Sequence, residues 1–151
     1  MFYRAALLEL NENYLTGNLP ITLISSGNTS VLEILDLRNN RLNGTLPAEL
    51  GNLHYINKLY LSNNDFQGGL PESLGNIGKK SEKYKTIGLD GNRLSGIIPP
   101  ELANISNLCK CGYCYVRFKT LSLLNKSLFN IGAYSLFYNR FIESNKQLVY
   151  W

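Results

Sequence analysis

The chain has 151 residues, enough for one compact domain or a short repeat stack; 44% are hydrophobic and 17% charged, which excludes a highly charged disordered tail. The formal net charge is +4, yet residues 1–108 carry nine Lys/Arg against ten Asp/Glu, while residues 109–151 carry six against one. A nucleic-acid surface would therefore rest on the tail alone, and nucleic acid is not an expected partner. With 27 Leu and 19 Asn, the composition points to internal repeats.

One phrase recurs four times along the chain. It runs through Leu8, Leu10, Asn13, Leu15, Gly17, Leu19 and Pro20, and again through Leu35, Leu37, Asn40, Leu42, Gly44, Leu46 and Pro47. It returns through Leu59, Leu61, Asn64, Phe66, Gly68, Leu70 and Pro71, and through Ile87, Leu89, Asn92, Leu94, Gly96, Ile98 and Pro99. The asparagines lie 27, 24 and 28 residues apart, so a unit near 24 residues takes small insertions at 25–30 and 78–83.

Each part of the phrase has a physical reading. The Leu-x-Leu alternation has period two and predicts a short strand with one buried face, near residues 7–10, 34–37, 58–61 and 86–89. The Asn comes three residues later, where the chain must turn. Its amide both donates and accepts, so Asn13, Asn40, Asn64 and Asn92 are expected to form a ladder that satisfies backbone groups. The following Gly permits backbone angles closed to other residues, and Leu/Ile-Pro continues in extended form. A turn with apolar plugs follows: Leu50 and Leu53, Leu74 and Ile77, Leu102 and Ile105. One unit cannot bury its apolar side alone, so the units must stack, their strands parallel. A fifth repeat begins after Leu108 and fails, because Cys111, Tyr113 and Val116 stand where the anchors belong.

These residues resemble the plant-type leucine-rich repeat over about residues 5–108. The resemblance implies an α/β solenoid. It would be a curved array of four clear repeats plus a degenerate fifth, with a short parallel sheet on its concave side and a second short strand around Gly-x-Leu-Pro. In this family such arrays form the extracellular recognition parts of receptor-like kinases and receptor-like proteins. No kinase fingerprint occurs in the chain. The family's signal peptide and Cys-bearing cap are also missing, because residue 5 already lies inside a repeat. No run of about 18 apolar residues is present to cross a membrane.

Residues 109–151 form a separate segment by composition, with ten of the seventeen aromatics and all three cysteines. Cys109, Cys111 and Cys114 would need a fourth ligand to hold zinc, so no metal and no cofactor is expected. Three readings of this tail stand side by side. Leu121, Leu124, Leu128 and Ile131 have the spacing of an amphipathic capping helix. The abrupt loss of repeat grammar equally fits a disordered tail, or sequence that is not native coding, such as translated intron.

Solenoids of this type bind through the solvent-facing positions of the concave strands. Strand alternation places Glu9, Asp36, Tyr60 and Gly88 in one row, Asn11, Arg38, Ser62 and Asp90 in the next, and Leu7, Ile34, Lys58 and Thr86 in the row before. From these, Glu9, Asn11, Asp36, Arg38, Lys58, Tyr60, Ser62, Thr86 and Asp90 are the candidate contacts for a peptide, protein ligand or co-receptor. The lysine-rich stretch from Lys79 to Lys85 reads as a solvated insertion. Asn28, Asn43 and Asn104 head Asn-x-Ser/Thr sequons in the repeats, and Asn125 heads one in the tail; in a secreted parent the former could carry glycans. The single histidine, His54, has no paired nucleophile, and no catalytic residue is expected. The expected function is a non-catalytic recognition module from a receptor ectodomain, on the extracellular side of the plasma membrane within the parent protein. The alternative is a truncated structural remnant of a receptor gene with no binding of its own.

Overall fold

The computed structural model describes residues 7–25, 31–83, 85–97 and 99–106. The expected tail, Asn28 and most of the first insertion lie outside the described residues. Four short strands follow the Leu-x-Leu positions: β1 (Leu7–Glu9), β3 (Ile34–Asp36), β5 (Lys58–Tyr60) and β7 (Thr86–Gly88). They pair in parallel in the order β1-β3-β5-β7. Their register aligns Leu8, Leu35, Leu59 and Ile87 in one inward row. Leu35, Leu59 and Ile87 are fully buried, whereas Leu8 on the edge strand is half-buried.

A second parallel sheet joins β2 (Thr16–Asn18), β4 (Arg41–Thr45), β6 (Asp65–Gly68) and β8 (Arg93–Leu94). These strands lie around or just before the repeat glycine and stop short of the Leu-Pro pair. The proline has no N–H to give a ladder, so pairing ends ahead of it. After Pro47, Pro71 and Pro99 the chain makes a single 3-10 turn, at Ala48–Asn52, Glu72–Asn76 and Pro100–Asn104. The first repeat makes a short α-helix there instead, α1 (Ile21–Ser25). The apolar plugs of the 3-10 turns, Leu50, Leu53, Leu74, Ile77, Leu102 and Ile105, close the core from this side. Gly51 and Gly75 let the turns stack closely: a Cβ on Gly75 would lie 2.1 Å from the Glu101 carbonyl oxygen, and one on Gly51 2.4 Å from that of Ser73.

The asparagines tie one repeat to the last. Asn64 Nδ2 donates to the carbonyls of Leu37 (2.9 Å), Leu61 (3.1 Å) and Ser62 (3.3 Å), and its Oδ1 accepts the Leu42 N–H at 3.0 Å. Asn40 and Asn92 repeat this pattern, their Oδ1 atoms accepting the N–H groups of Leu15 and Phe66 at 3.1 Å each. All three side chains are buried. Asn13, in the edge repeat, is exposed, and among the described residues it bonds only the Leu10 and Asn11 carbonyls of its own repeat. The residue just before each asparagine turns through positive φ: Glu12 at 57°, Asn39 and Asn63 at 56°, and Gly91 at 69°. Asn and Gly tolerate that conformation; Glu12 holds it at a cost.

The charged residues of the second insertion are solvated as expected, but the last lysine of the stretch is not. Lys79, Lys80 and Lys83 are exposed, but Lys85 is fully buried. Its Nζ donates to the Ser81 carbonyl, and burial pulls its pKa down. The four-carbon stem of a lysine packs like an apolar side chain, which charge alone does not reveal. The loop is also tied back to the stack. The Gly78 N–H meets the Leu53 carbonyl at 2.9 Å, and the Lys80 N–H meets that of His54 at 2.8 Å. Lys83 reaches Glu33 at 2.6 Å, and the Ser81 hydroxyl donates to buried Asn57.

Candidate functional site

The first sheet carries the candidate contacts in the expected rows. Glu9, Asp36, Tyr60 and Gly88 pair in register across the four strands, as do Leu7, Ile34, Lys58 and Thr86. The ladder continues past the strand ends. The N–H groups of Glu12, Asn39 and Asn63 donate to Arg38, Ser62 and Asp90 at 2.9, 3.1 and 2.8 Å, which keeps Asn11, Arg38, Ser62 and Asp90 adjacent.

Two of these residues are not solvent-facing as expected. Asp36 is 3% exposed and Ser62 is 6% exposed. Arg38 closes over Asp36 as a fork: Nε lies 2.9 and 3.0 Å from the two carboxylate oxygens, and Nη2 lies 2.5 Å from Oδ2. The Arg38 backbone N–H adds a fourth contact at 3.1 Å. The same guanidinium stacks 4.5 Å from the centroid of the Tyr60 ring. Burial pushes the Asp36 carboxyl up, but hydrogen bonds from the Arg38 side chain and backbone outweigh it and hold the group below the usual carboxylate range. The same bond raises Arg38 further. The Ser62 hydroxyl donates to Asp90 Oδ1 at 2.5 Å.

Arg38, Tyr60, Ser62, Thr86 and Asp90 come together around one shallow depression of about 250 Å³, completed by Ile87 and Gly88. Glu9, Asn11 and Lys58 lie on the same face outside it. Gly88 lets its neighbours on and just after β5 close in over the backbone. A Cβ there would stand 2.8 Å from Ser62 Oγ and 3.3 Å from Tyr60 Cδ1. Its place in the row was visible in the repeat alignment, but a residue without a side chain is not an obvious contact. Asn57, the buried hub under the insertion, stands outside the repeated phrase and left no signal.

Among the described residues no group of His, Cys, Asp and Glu is placed to hold a metal ion. His54 is half-buried in the turn before β5. Of the sequon asparagines described, Asn43 on β4 and Asn104 on the last 3-10 turn are exposed.

The Leucine Rich Repeat family matches residues 31–53, 55–77 and 85–105. Residues 31–105 are thus leucine-rich repeats, in a solenoid of the kind seen in plant receptor ectodomains. The solenoid is similar to the ectodomain of the plant membrane receptor kinase GASSHO1/SCHENGEN3 from Arabidopsis thaliana, solved with CASPARIAN STRIP INTEGRITY FACTOR 2. The two share 38% identity over 67% of this chain and 11% of that one, at a TM-score of 0.59. A chain of the Arabidopsis thaliana BIR3–SERK2 complex shares 32% identity over 66% of this leucine-rich repeat chain and 50% of its own, at 0.53. A plant ice-binding protein shares 28% identity over 63% of this chain and 28% of its own, at 0.54. The array thus spans a small part of the receptor ectodomain and half of the complex's chain. No curated protein sequence matches it. The ice-binding protein shows that this fold alone does not choose a ligand. Among the described residues no helix is long and apolar enough to cross a membrane.

Proposed function

We propose that this chain is a non-catalytic recognition module, part of a receptor ectodomain, that binds an extended peptide or a protein co-receptor through its first sheet. The observation that carries this reading is the depression at Arg38, Tyr60 and Asp90: an Arg–Tyr stack pinned by a buried carboxylate, beside a hollow that Ser62, Thr86 and Asp90 line. Arg and Tyr are preferred interface anchors, and here Arg38 is already ordered, so little side-chain freedom is lost on binding. The solved ectodomain with CASPARIAN STRIP INTEGRITY FACTOR 2 and the BIR3–SERK2 complex show that relatives engage such partners. Four strands at about 4.8 Å spacing make a face only about 15–20 Å wide, so binding by this segment is weak and adjoining repeats would extend it. An extracellular location follows from the same reading, with Asn43 and Asn104 as glycan acceptors and residues 1–108 as the folded recognition unit.

The test is selection of binders from a random peptide library on the purified full chain, followed by hydrogen exchange. The expected outcome is protection of the amides at Ile34–Asp36, Lys58–Tyr60 and Thr86–Gly88, lost in Tyr60→Ala. Protection confined to the second sheet would overturn the reading. Failure to select any binder would favour a structural remnant.

A further inference from the structure

We propose that the depression takes the cationic head of a Lys or Arg side chain, presented by an extended peptide, with Asp90 as its acceptor. This rests on the recognition reading above and adds the ligand's chemistry to it.

The charges around the hollow are unequal in what they have left to offer. Arg38 is its only cation, and both of its fork nitrogens are committed to Asp36. Among the described residues its outer N–H groups remain free, but its charge is already offset by Asp36, so it draws an anionic ligand only weakly. Asp90 is the opposite case. The ion pairs of the described residues are Arg38–Asp36, Lys83–Glu33 and Arg93–Asp65, so Asp90 has no cation beside it. It accepts a hydrogen bond from Ser62 on Oδ1 and is half-buried, which orients the carboxylate without closing it off. With the Arg38–Asp36 pair set aside, the same face carries the carboxylates of Glu9 and Asp90 against the single cation of Lys58 among the described residues.

The shape agrees with the charge. The volume of about 250 Å³ lies below the range of roughly 300–1,000 Å³ of small-molecule sites, and suits one side chain. The Tyr60 ring lines the depression and offers an apolar wall for the aliphatic stem of Lys or Arg. The head would then meet Asp90 in a charge-assisted hydrogen bond.

The experiment uses the full chain, isotope-labelled, titrated with three blocked pentapeptides of Ala and Gly that carry a central Arg, norleucine or Glu. The Arg peptide is expected to shift the amides of Ser62, Gly88 and Asp90, the norleucine peptide weakly and the Glu peptide not at all. Asp90→Asn, which keeps an acceptor for Ser62, is expected to weaken the Arg peptide about fivefold or more. Thr86→Arg places a competing cation at the rim of the hollow and is expected to abolish the shifts while the Leu42 and Phe66 amides keep their positions. An unchanged affinity in Asp90→Asn, or no shift at millimolar Arg peptide, would overturn the proposal. A Glu peptide that binds the same rows as well would overturn it too, yet leave recognition by the first sheet standing. Absence of any peptide contact on that sheet would remove both.

Discussion

Replacing the ladder asparagines by alanine should destabilise the array by amounts graded along the stack. Removing Asn64 strips four hydrogen bonds, but its partners are not equally hurt. The Leu37 carbonyl keeps a bond from Asn40 at 3.1 Å, the Leu61 carbonyl keeps one from Asn92 at 2.9 Å, and the Ser62 carbonyl keeps the Asn39 N–H at 3.1 Å. The Leu42 N–H loses its Asn64 acceptor in a buried site. One orphaned buried donor costs about 1–3 kcal/mol, so about 2–3 kcal/mol is expected once the weakened carbonyl bonds are added. Asn40→Ala orphans the Leu15 N–H, but Leu15 is 38% exposed, and water can replace the lost acceptor at smaller cost. Asn13→Ala removes bonds only at the exposed edge and should cost under about 0.5 kcal/mol. Urea unfolding followed by circular dichroism reads the series, and Asn64→Ala should also lower the melting temperature by roughly 8–20 °C. Asn64→Asp keeps an acceptor for Leu42 but turns a second oxygen toward three carbonyls. It should be at least as damaging at neutral pH as Asn64→Ala. Equal losses at Asn13 and Asn64, or an Asn64→Asp chain as stable as the parent, would refute the clamp.

Three further outcomes follow from single positions. Glu12 holds φ at 57° where the other repeats place Asn or Gly, so Glu12→Asn should raise stability by about 0.5–1 kcal/mol in the same urea assay; a loss would show that the strain is relieved elsewhere. Gly75→Ala drives a Cβ into the Glu101 carbonyl and should cost about 1–3 kcal/mol by forcing the stacked turns apart, whereas no change in the midpoint would mean that the turns are loosely packed. The folded Asp36 pKa lies below its unfolded value near 3.9, so its contribution is present above about pH 4 and is lost as pH falls through the folded value. Melting temperatures taken from about pH 5 downward should fall less steeply in Asp36→Asn than in the parent, and matching slopes would rule out the Arg38 pair as the cause.

The parts of this molecule that were legible in sequence are those that obey a period. Alternation with period two sets which face a strand residue takes, and the phase of the repeated phrase sets the register. Tyr60 therefore lies beside Asp36 and Gly88 as the rows predict. The illegible parts depend on one side chain reaching another across rows or repeats. Nothing in the pattern says that Arg38 folds back two residues onto Asp36 while covering Tyr60, so Asp36 reads as an exposed contact and is a buried support. Lys85 reads as solvated because its neighbours are, yet its stem fills the space beneath Gly78. The site itself arises where the strand-face row breaks its own pattern. Three repeats place a large polar or aromatic residue at Glu9, Asp36 and Tyr60, and the fourth places Gly88. Regular stacking requires the repeated anchors to be alike, because each buries its neighbour, whereas the outward positions carry no such demand. Those outward residues can therefore differ in size between adjacent repeats, and where Tyr60 steps to Gly88 the Tyr60 ring and the Ser62 hydroxyl close in over the glycine, beside the depression that Asp90 lines.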